Sequence, residues 1–232
     1  MIMFSDFDFG VITRSLGYLL REGMSVSLSL TALAAIGGIV FGTMLAIARL
    51  SSVKWLGKAA ATYANVMRSL PLMLVIFWFY FLVPYIMAWA TGANRPVPVG
   101  SFASALITFT LFEAAYFSEI MRAGIQGVPR GQLAAGHALG LSPWQVMGSI
   151  VLPQAFRNML PVLLTQTIIL FQDTSLVYVV SLSDFLGAAS KIAQRDGRLV
   201  EMYAFVAIVY FAISFSASSL VRRVHSKIQI IR

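Results

Sequence analysis

Three uncharged runs dominate the pattern of hydrophobic and polar positions. Gly23–Ala48 and Ser69–Asn94 each extend 26 residues and Met202–Val221 extends 20, against about 20 apolar residues for a helix that crosses a bilayer. Two further runs are interrupted by acids: Pro96–Arg122 holds Glu113 and Glu119, and Asn158–Ser183 holds Asp173. The pattern predicts an all-α membrane protein with five transmembrane helices, over about 23–48, 69–91, 99–122, 157–182 and 201–221.

Composition agrees: 59% of the 232 residues are hydrophobic and 11% are charged, where an ordinary soluble domain carries about 25% charged residues. The start, "MIMFSDFDFGVITRSL", holds Asp6 and Asp8 and lacks the basic stretch and small-residue cleavage site of a removable signal. The first helix is therefore expected to direct insertion. With no cysteine, disulfides, thiolate metal sites and a thiol nucleophile are excluded, and no metal site is expected.

The net charge of +8 is a matter of topology. With five spans, Arg49, Lys54, Lys58, Arg68, Arg122, Arg130, Arg157, Arg222, Arg223, Lys227 and Arg232 fall on one side, eleven in all, and Arg14, Arg21, Arg95, Lys191, Arg195 and Arg198, six, on the other. Basic loops stay cytoplasmic, so the reading places the N-terminus outside and the C-terminus inside. Asp6, Asp8, Glu22, Asp184, Asp196 and Glu201 fall on the outer side. No nucleic-acid partner is implied.

One domain is expected over 20–221, flanked by an external segment 1–19 and a basic cytoplasmic tail 222–232. The first span carries Ala34, Gly38, Gly42 and Ala46 at intervals of four, a stripe that lets another helix backbone approach closely. A short basic loop, "RLSSVKWLGK", leads to the second span, where Pro71 suits a first helical turn with Ser69 as a possible cap.

Between the third and fourth spans lies the exception, from Gly127 to Arg157, far longer than the usual 2 to 8 residues between helices. Pro129 can open a helix through Gln132, Leu133 and Leu139, which Gly140 stops; Ser142 and Pro143 then read as cap and first position of a second helix. Such a pair would present Leu133, Leu139, Leu141, Trp144 and Val146. From Gly131 to Phe156 there is no Lys or Arg to hold an anionic membrane surface, which favours a docking surface for a cytoplasmic protein over an interfacial anchor.

Residues Ala134-Ala135-Gly136, then Gly140, then Ile150-Val151-Leu152-Pro153 resemble the cytoplasmic signature of permease subunits of bacterial ATP-binding-cassette (ABC) importers, in which Glu-Ala-Ala precedes Gly, Ile and Leu-Pro at this spacing. Ala134 replaces the glutamate and Gly136 the second alanine. The literal Glu-Ala-Ala at Glu113–Ala115 does not qualify, because Glu119 stands where the motif needs glycine. "VMRSLPLMLVIFWFY", "FEAAYFSEIMRAGIQGVPRGQ" and "LFQDTSLVYVVSLSDF" resemble the polar amino-acid branch, the last most of all its glutamate/aspartate importers.

The resemblance implies a bacterial inner-membrane, non-enzymatic subunit. Two permeases, identical or paralogous, would form the pathway, two cytoplasmic ATPase subunits would hold the ATP-Mg, and an external solute-binding protein would deliver the amino acid. This chain has no phosphate-loop motif of its own. ATPase coupling would fall to Arg130, Gly131, Gln132, Ala134, Ala135, Gly136, Gly140, Leu141, Ser142, Trp144, Ile150, Leu152 and Pro153.

Charges inside a span are costly and mark function, so Arg68, Glu113, Gln172, Asp173, Thr174 and Ser175 are candidates for the pathway. Structural alternatives stand beside them. Glu119 is expected to pair locally with Arg122, Asp173 to be satisfied by Gln172, Thr174 and Ser175 or to cap a helix break, and Glu113 either to line the cavity or to bond another helix. Buried carboxylates suit a cationic ligand, and Arg68 is the only deep basic candidate to set against them. The competing function is an ion-coupled secondary transporter using those carboxylates. A hydrolase is weaker, since His137 and His225 both fall on cytoplasmic segments.

Overall fold

Each hydrophobic run becomes a helix, and most helices overshoot the run that predicts them. The computed structural model describes residues 7–228; Asp6 and Arg232, counted above, lie outside them. Helix α1 (Phe9–Tyr18) continues through a π-helical turn, Leu19–Met24, into α2 (Ser25–Leu50). Then come α3 (Lys54–Ser69), α4 (Leu72–Phe77), a π segment Trp78–Leu82, α5 (Val83–Thr91), α6 (Ser101–Gln126) and α7 (Arg130–Ala138). The chain closes with α8 (Pro143–Val146), a π segment Met147–Val151, α9 (Leu152–Asp173), a 3₁₀ stretch Thr174–Val180, α10 (Phe185–Asp196) and α11 (Leu199–Ile228).

Five helical runs among the described residues are long and apolar enough to cross a membrane: Phe9–Leu50, Leu72–Thr91, Ser101–Gln126, Pro143–Val180 and Leu199–Lys227. The first begins inside the segment 1–19 that the sequence reading leaves outside the domain. At 42 residues it is about 63 Å long, twice the hydrocarbon thickness, and Arg14, Arg21 and Glu22 mark its polar end.

Two of the π segments have a covalent cause. Pro84 and Pro153 each stand two residues beyond one, at Trp78–Leu82 and Met147–Val151. Proline supplies no N–H and its ring crowds the carbonyl four residues earlier, so the preceding turn widens instead of closing in α-geometry.

Two helices depart from the sequence reading. The "RLSSVKWLGK" stretch is not a plain loop, because α3 starts at Lys54. Ser69 does not cap the second span: it ends α3, donating from Oγ to the Asn65 carbonyl at 2.7 Å, while Pro71 itself takes the extended cap position of α4. The amphipathic helix α10 lies between the last two spans, too short and too polar to register as one.

The described chain forms two compact units. One comprises Met1–Ala34, Pro71–Phe109 and Ile169–Ala217. Its core gathers Val11, Leu19, Met24, Phe171 and Met202 around Phe185, Ala188, Ala189, Ile192 and Ala193 of α10. Gly23 makes this contact possible, since a Cβ there would stand 2.9 Å from Ala188 Cβ and 3.0 Å from Phe185 Cα. Asp184 caps α10, accepting from the Leu186 and Gly187 N–H at 3.1 and 2.9 Å, and Ser27 Oγ accepts from the Phe185 N–H at 3.0 Å. Burial pushes the Asp184 carboxyl up to about 6, against those hydrogen bonds, which pull it down.

The other unit comprises Ala35–Leu70, Thr110–Ile168 and Ser218–Arg232. The small-residue stripe works here, with α2 laid on α6. A Cβ on Gly38 would stand 3.0 Å from Glu113 Cβ and from the Phe117 ring; on Gly42, 2.9 Å from Phe117 Cβ and 3.1 Å from both the Ala114 carbonyl and the Ser118 nitrogen. Gly37, outside the four-residue register, does the same against Thr110. Lower on the pair, Ala46, Phe117, Met121 and Leu163 form a buried cluster.

Candidate functional site

The exceptional loop folds as a bent helical corner. Pro129 precedes α7, whose end is a Schellman cap: Gly140 takes φ +77°, its N–H donates to the His137 carbonyl at 2.9 Å, and the Leu141 N–H reaches back to the Gly136 carbonyl at 3.2 Å. Only glycine adopts that backbone without strain. Two residues on, Ser142 opens α8 with a capping box: its Oγ accepts from the Gln145 N–H at 3.4 Å, and Gln145 Oε1 accepts from the Ser142 N–H at 2.9 Å.

Inside the corner, Val128, Val146, Val151 and Ala155 are buried, with Ile125, Leu133, Leu141 and Met147 packed against them. Only two of the five apolar residues expected at the surface are displayed there: Leu139 is 80% and Trp144 86% exposed. Leu133, Leu141 and Val146 instead hold the corner together. Arg130, Gly131, Gln132, Ala134 and Ala135 lie exposed along α7; Gly136 is buried; Ile150 lies in the π segment and Leu152-Pro153 open α9.

Gly136 is one of the departures from the signature. A Cβ at this position would stand 2.7 Å from Ile150 Cδ1 and 2.9 Å from Val146 Cγ2, so an alanine fits only if those two side chains shift.

Within the same unit the acids are fully engaged. Glu113 is buried, and Gln166 Nε2 lies 3.2 Å from both of its oxygens, so of its two alternatives the bond to another helix is the one formed. Glu119 pairs with Arg122, as the spacing predicts, and also with Arg49 from α2 and with Arg68 from α3 at 3.9 Å. The Arg68 guanidinium also lies 5.6 Å from the centroid of the Tyr116 ring. Three guanidiniums thus share one carboxylate. Arg68 is not the only deep cation: Arg49 keeps 11% of its side-chain exposure, less than Arg68 with 38%.

In the first unit, no hydrogen bond among the described residues joins Asp173 to Gln172, Thr174 or Ser175. Thr174 is buried with its hydroxyl on the Phe171 carbonyl at 2.7 Å, Gln172 is exposed, and Asp173 ends α9 without capping the 3₁₀ stretch that follows. The helix does break there, as expected, but Asp173 does not hold the break. Among the described residues no group of three or more His, Cys, Asp and Glu could hold a metal.

Residues 38–230 match the family described as binding-protein-dependent transport system inner membrane component. The chain belongs to this family. It is 52% identical over 219 residues to the glutamate/aspartate import permease protein GltK of Escherichia coli O6:H1, covering 93% of this permease and 96% of that one. The glutamine transport system permease protein GlnP of Escherichia coli K12 is 30% identical over 226 residues, covering 97% of this permease and all of GlnP. Among solved structures, an amino-acid ABC transporter crystallised with histidines superposes with a TM-score of 0.86 at 27% identity, covering 95% of this permease and 98% of that chain. The permease is thus an inner-membrane subunit of an amino-acid ABC importer. The ion-coupled alternative finds no support among these relatives.

Proposed function

We propose that this permease carries glutamate and aspartate inward, as a subunit of a complex with two ATPase subunits, a second permease and an external solute-binding protein. The observation that carries the substrate reading is the 52% identity over 93% of the chain with a permease named for those amino acids. Charge supports it. Buried carboxylates argue for a cationic ligand only while they are free, yet Glu113 is bonded to Gln166 and Glu119 is outnumbered by Arg49, Arg68 and Arg122. What remains around them is an excess of positive charge, suited to a dicarboxylate.

The eleven-to-six distribution of basic residues supports an external N-terminus and a cytoplasmic C-terminus. That orientation puts the α7–α8 corner on the ATPase side. Leu139 and Trp144 would enter a groove of the ATPase, while the Schellman cap and capping box make the corner stiff enough to pass a rigid-body displacement to α9. ATP-Mg would be bound and hydrolysed by the partner.

Uptake of radiolabelled glutamate, aspartate, glutamine, histidine and arginine by the reconstituted complex tests the substrate; preference for arginine or histidine would overturn it. Replacing both Leu139 and Trp144 by Asp tests the coupling surface. The permease should still insert and bind its partner permease, but the ATPase should no longer copurify. Undiminished copurification would remove the corner from the coupling role.

A further inference from the structure

We propose that this permease holds an anionic phospholipid in a groove between α9 and α11, with the phosphate between Arg157 and Lys227 and an acyl chain along Phe156 and Leu160. These four residues line a cavity of about 430 Å³, within the range of small-ligand sites. Phe156 and Leu160 stand four residues apart and so share one face of α9. Phe156 is 52% exposed although it lies beside two cations. An apolar strip that ends in a pair of positive charges is complementary to a lipid with an anionic head, and to neither a free anion nor an uncharged chain.

Charge balance in this unit points the same way. Its three stretches carry eleven Lys and Arg in sequence against two acids, Glu113 and Glu119. Both acids are committed elsewhere, Glu113 to Gln166 and Glu119 to three arginines. Arg157 and Lys227 make no ion pair among the described residues. Lys227 is the last residue of the final span and Arg157 precedes the uncharged part of α9, so the pair lies where apolar helix gives way to charge, at headgroup depth. The leaflet follows from the orientation proposed above, whereas the groove does not depend on it.

The test is native mass spectrometry of the purified importer complex titrated with dioleoylphosphatidylglycerol, dioleoylphosphatidylethanolamine or inorganic phosphate. Phosphatidylglycerol should bind and resist displacement by phosphate, and phosphatidylethanolamine should bind more weakly. Each cation near an anionic head contributes about fivefold, so Arg157→Gln with Lys227→Gln should weaken phosphatidylglycerol binding about thirtyfold. Arg222→Gln with Arg223→Gln removes the same charge outside the groove and should leave binding within about twofold. Leu160→Trp, which fills the groove and keeps both cations, should also displace the lipid. Equal losses in the two charge pairs would reduce the effect to general surface attraction, and displacement by phosphate would make the site a free-anion site; either result overturns the proposal. Substrate preference and ATPase copurification report separately on the transport reading.

Discussion

Replacing Glu119 by Gln should cost the permease about 3 kcal/mol of stability, a figure that follows from what the carboxylate neutralises. Its side chain is 24% exposed, and that of Arg49, its most buried partner, 11%. Removing one member of a buried pair costs 3–5 kcal/mol because the other charge is left unpaired, while a hydrogen bond to a charged group is worth about 1.5–3 kcal/mol. Partial burial places Glu119 near the boundary of the two ranges. Arg68, 38% exposed and 3.9 Å away, adds at most about 1 kcal/mol. The loss would take a large share of a folding stability of about 5–15 kcal/mol. Unfolding in mixed micelles by added dodecyl sulfate, followed by the fluorescence of Trp55, Trp78, Trp89 and Trp144, measures it. If the unpaired Arg49 is the cause, Arg49→Met combined with Glu119→Gln should recover about half the loss, a coupling of 1–2 kcal/mol. Additive costs in the double variant, or a loss under about 0.5 kcal/mol for Glu119→Gln, would refute the reasoning.

Two further predictions concern packing and pH. Gly42→Ala should destabilise the α2–α6 contact: crowding Phe117 and the α6 backbone costs about 1–3 kcal/mol, outweighing the 0.5–1 kcal/mol an alanine gains in a helix. Gly57→Ala, with its nearest neighbours 3.5 Å away, should be neutral or stabilising, and denaturation midpoints that rank the two the other way would contradict the contact. Asp184 has a raised carboxyl, from 3.8 to about 6, so the folded state binds the proton more tightly and this residue's contribution to stability falls as pH rises through about 6. Between pH 7 and pH 5 the wild type should gain about 1 kcal/mol relative to Asp184→Asn, read from thermal unfolding and from hydrogen exchange in α10. A relative gain on raising the pH would have the opposite sign and exclude the assignment.

Features written in contiguous residues were the legible ones. Apolar length was enough to locate five spans, and Pro129, Gly140, Ser142 and Pro143 punctuate the α7–α8 corner as their backbone preferences require. The stripe at Gly38 and Gly42 was visible for the same reason, since a four-residue period is a helix face. Pairings across the chain were not visible: Glu119 reaches Arg122 three residues away, but its bond to Arg49 spans 70 residues, and the Glu113–Gln166 bond spans 53. Helices α3 and α10 are not legible from length and apolarity, because they are short, polar on one face and stabilised by what they pack on. Around Asp173, nearness in sequence does not make partners in space, because the Thr174 hydroxyl bonds the Phe171 carbonyl instead.

Gly136 carries a consequence for exchanging parts between permeases. With Val146 and Ile150 closed over it at under 3 Å from where a Cβ would stand, the three positions are coupled across the bend. A single-site change, Gly136→Ala, obliges both side chains to shift, whereas the same change made with Val146→Ala would return the lost space. When the α7–α8 corner is grafted between permeases, the cuts should therefore fall outside residues 136–150, so that donor glycine and donor aliphatics travel together.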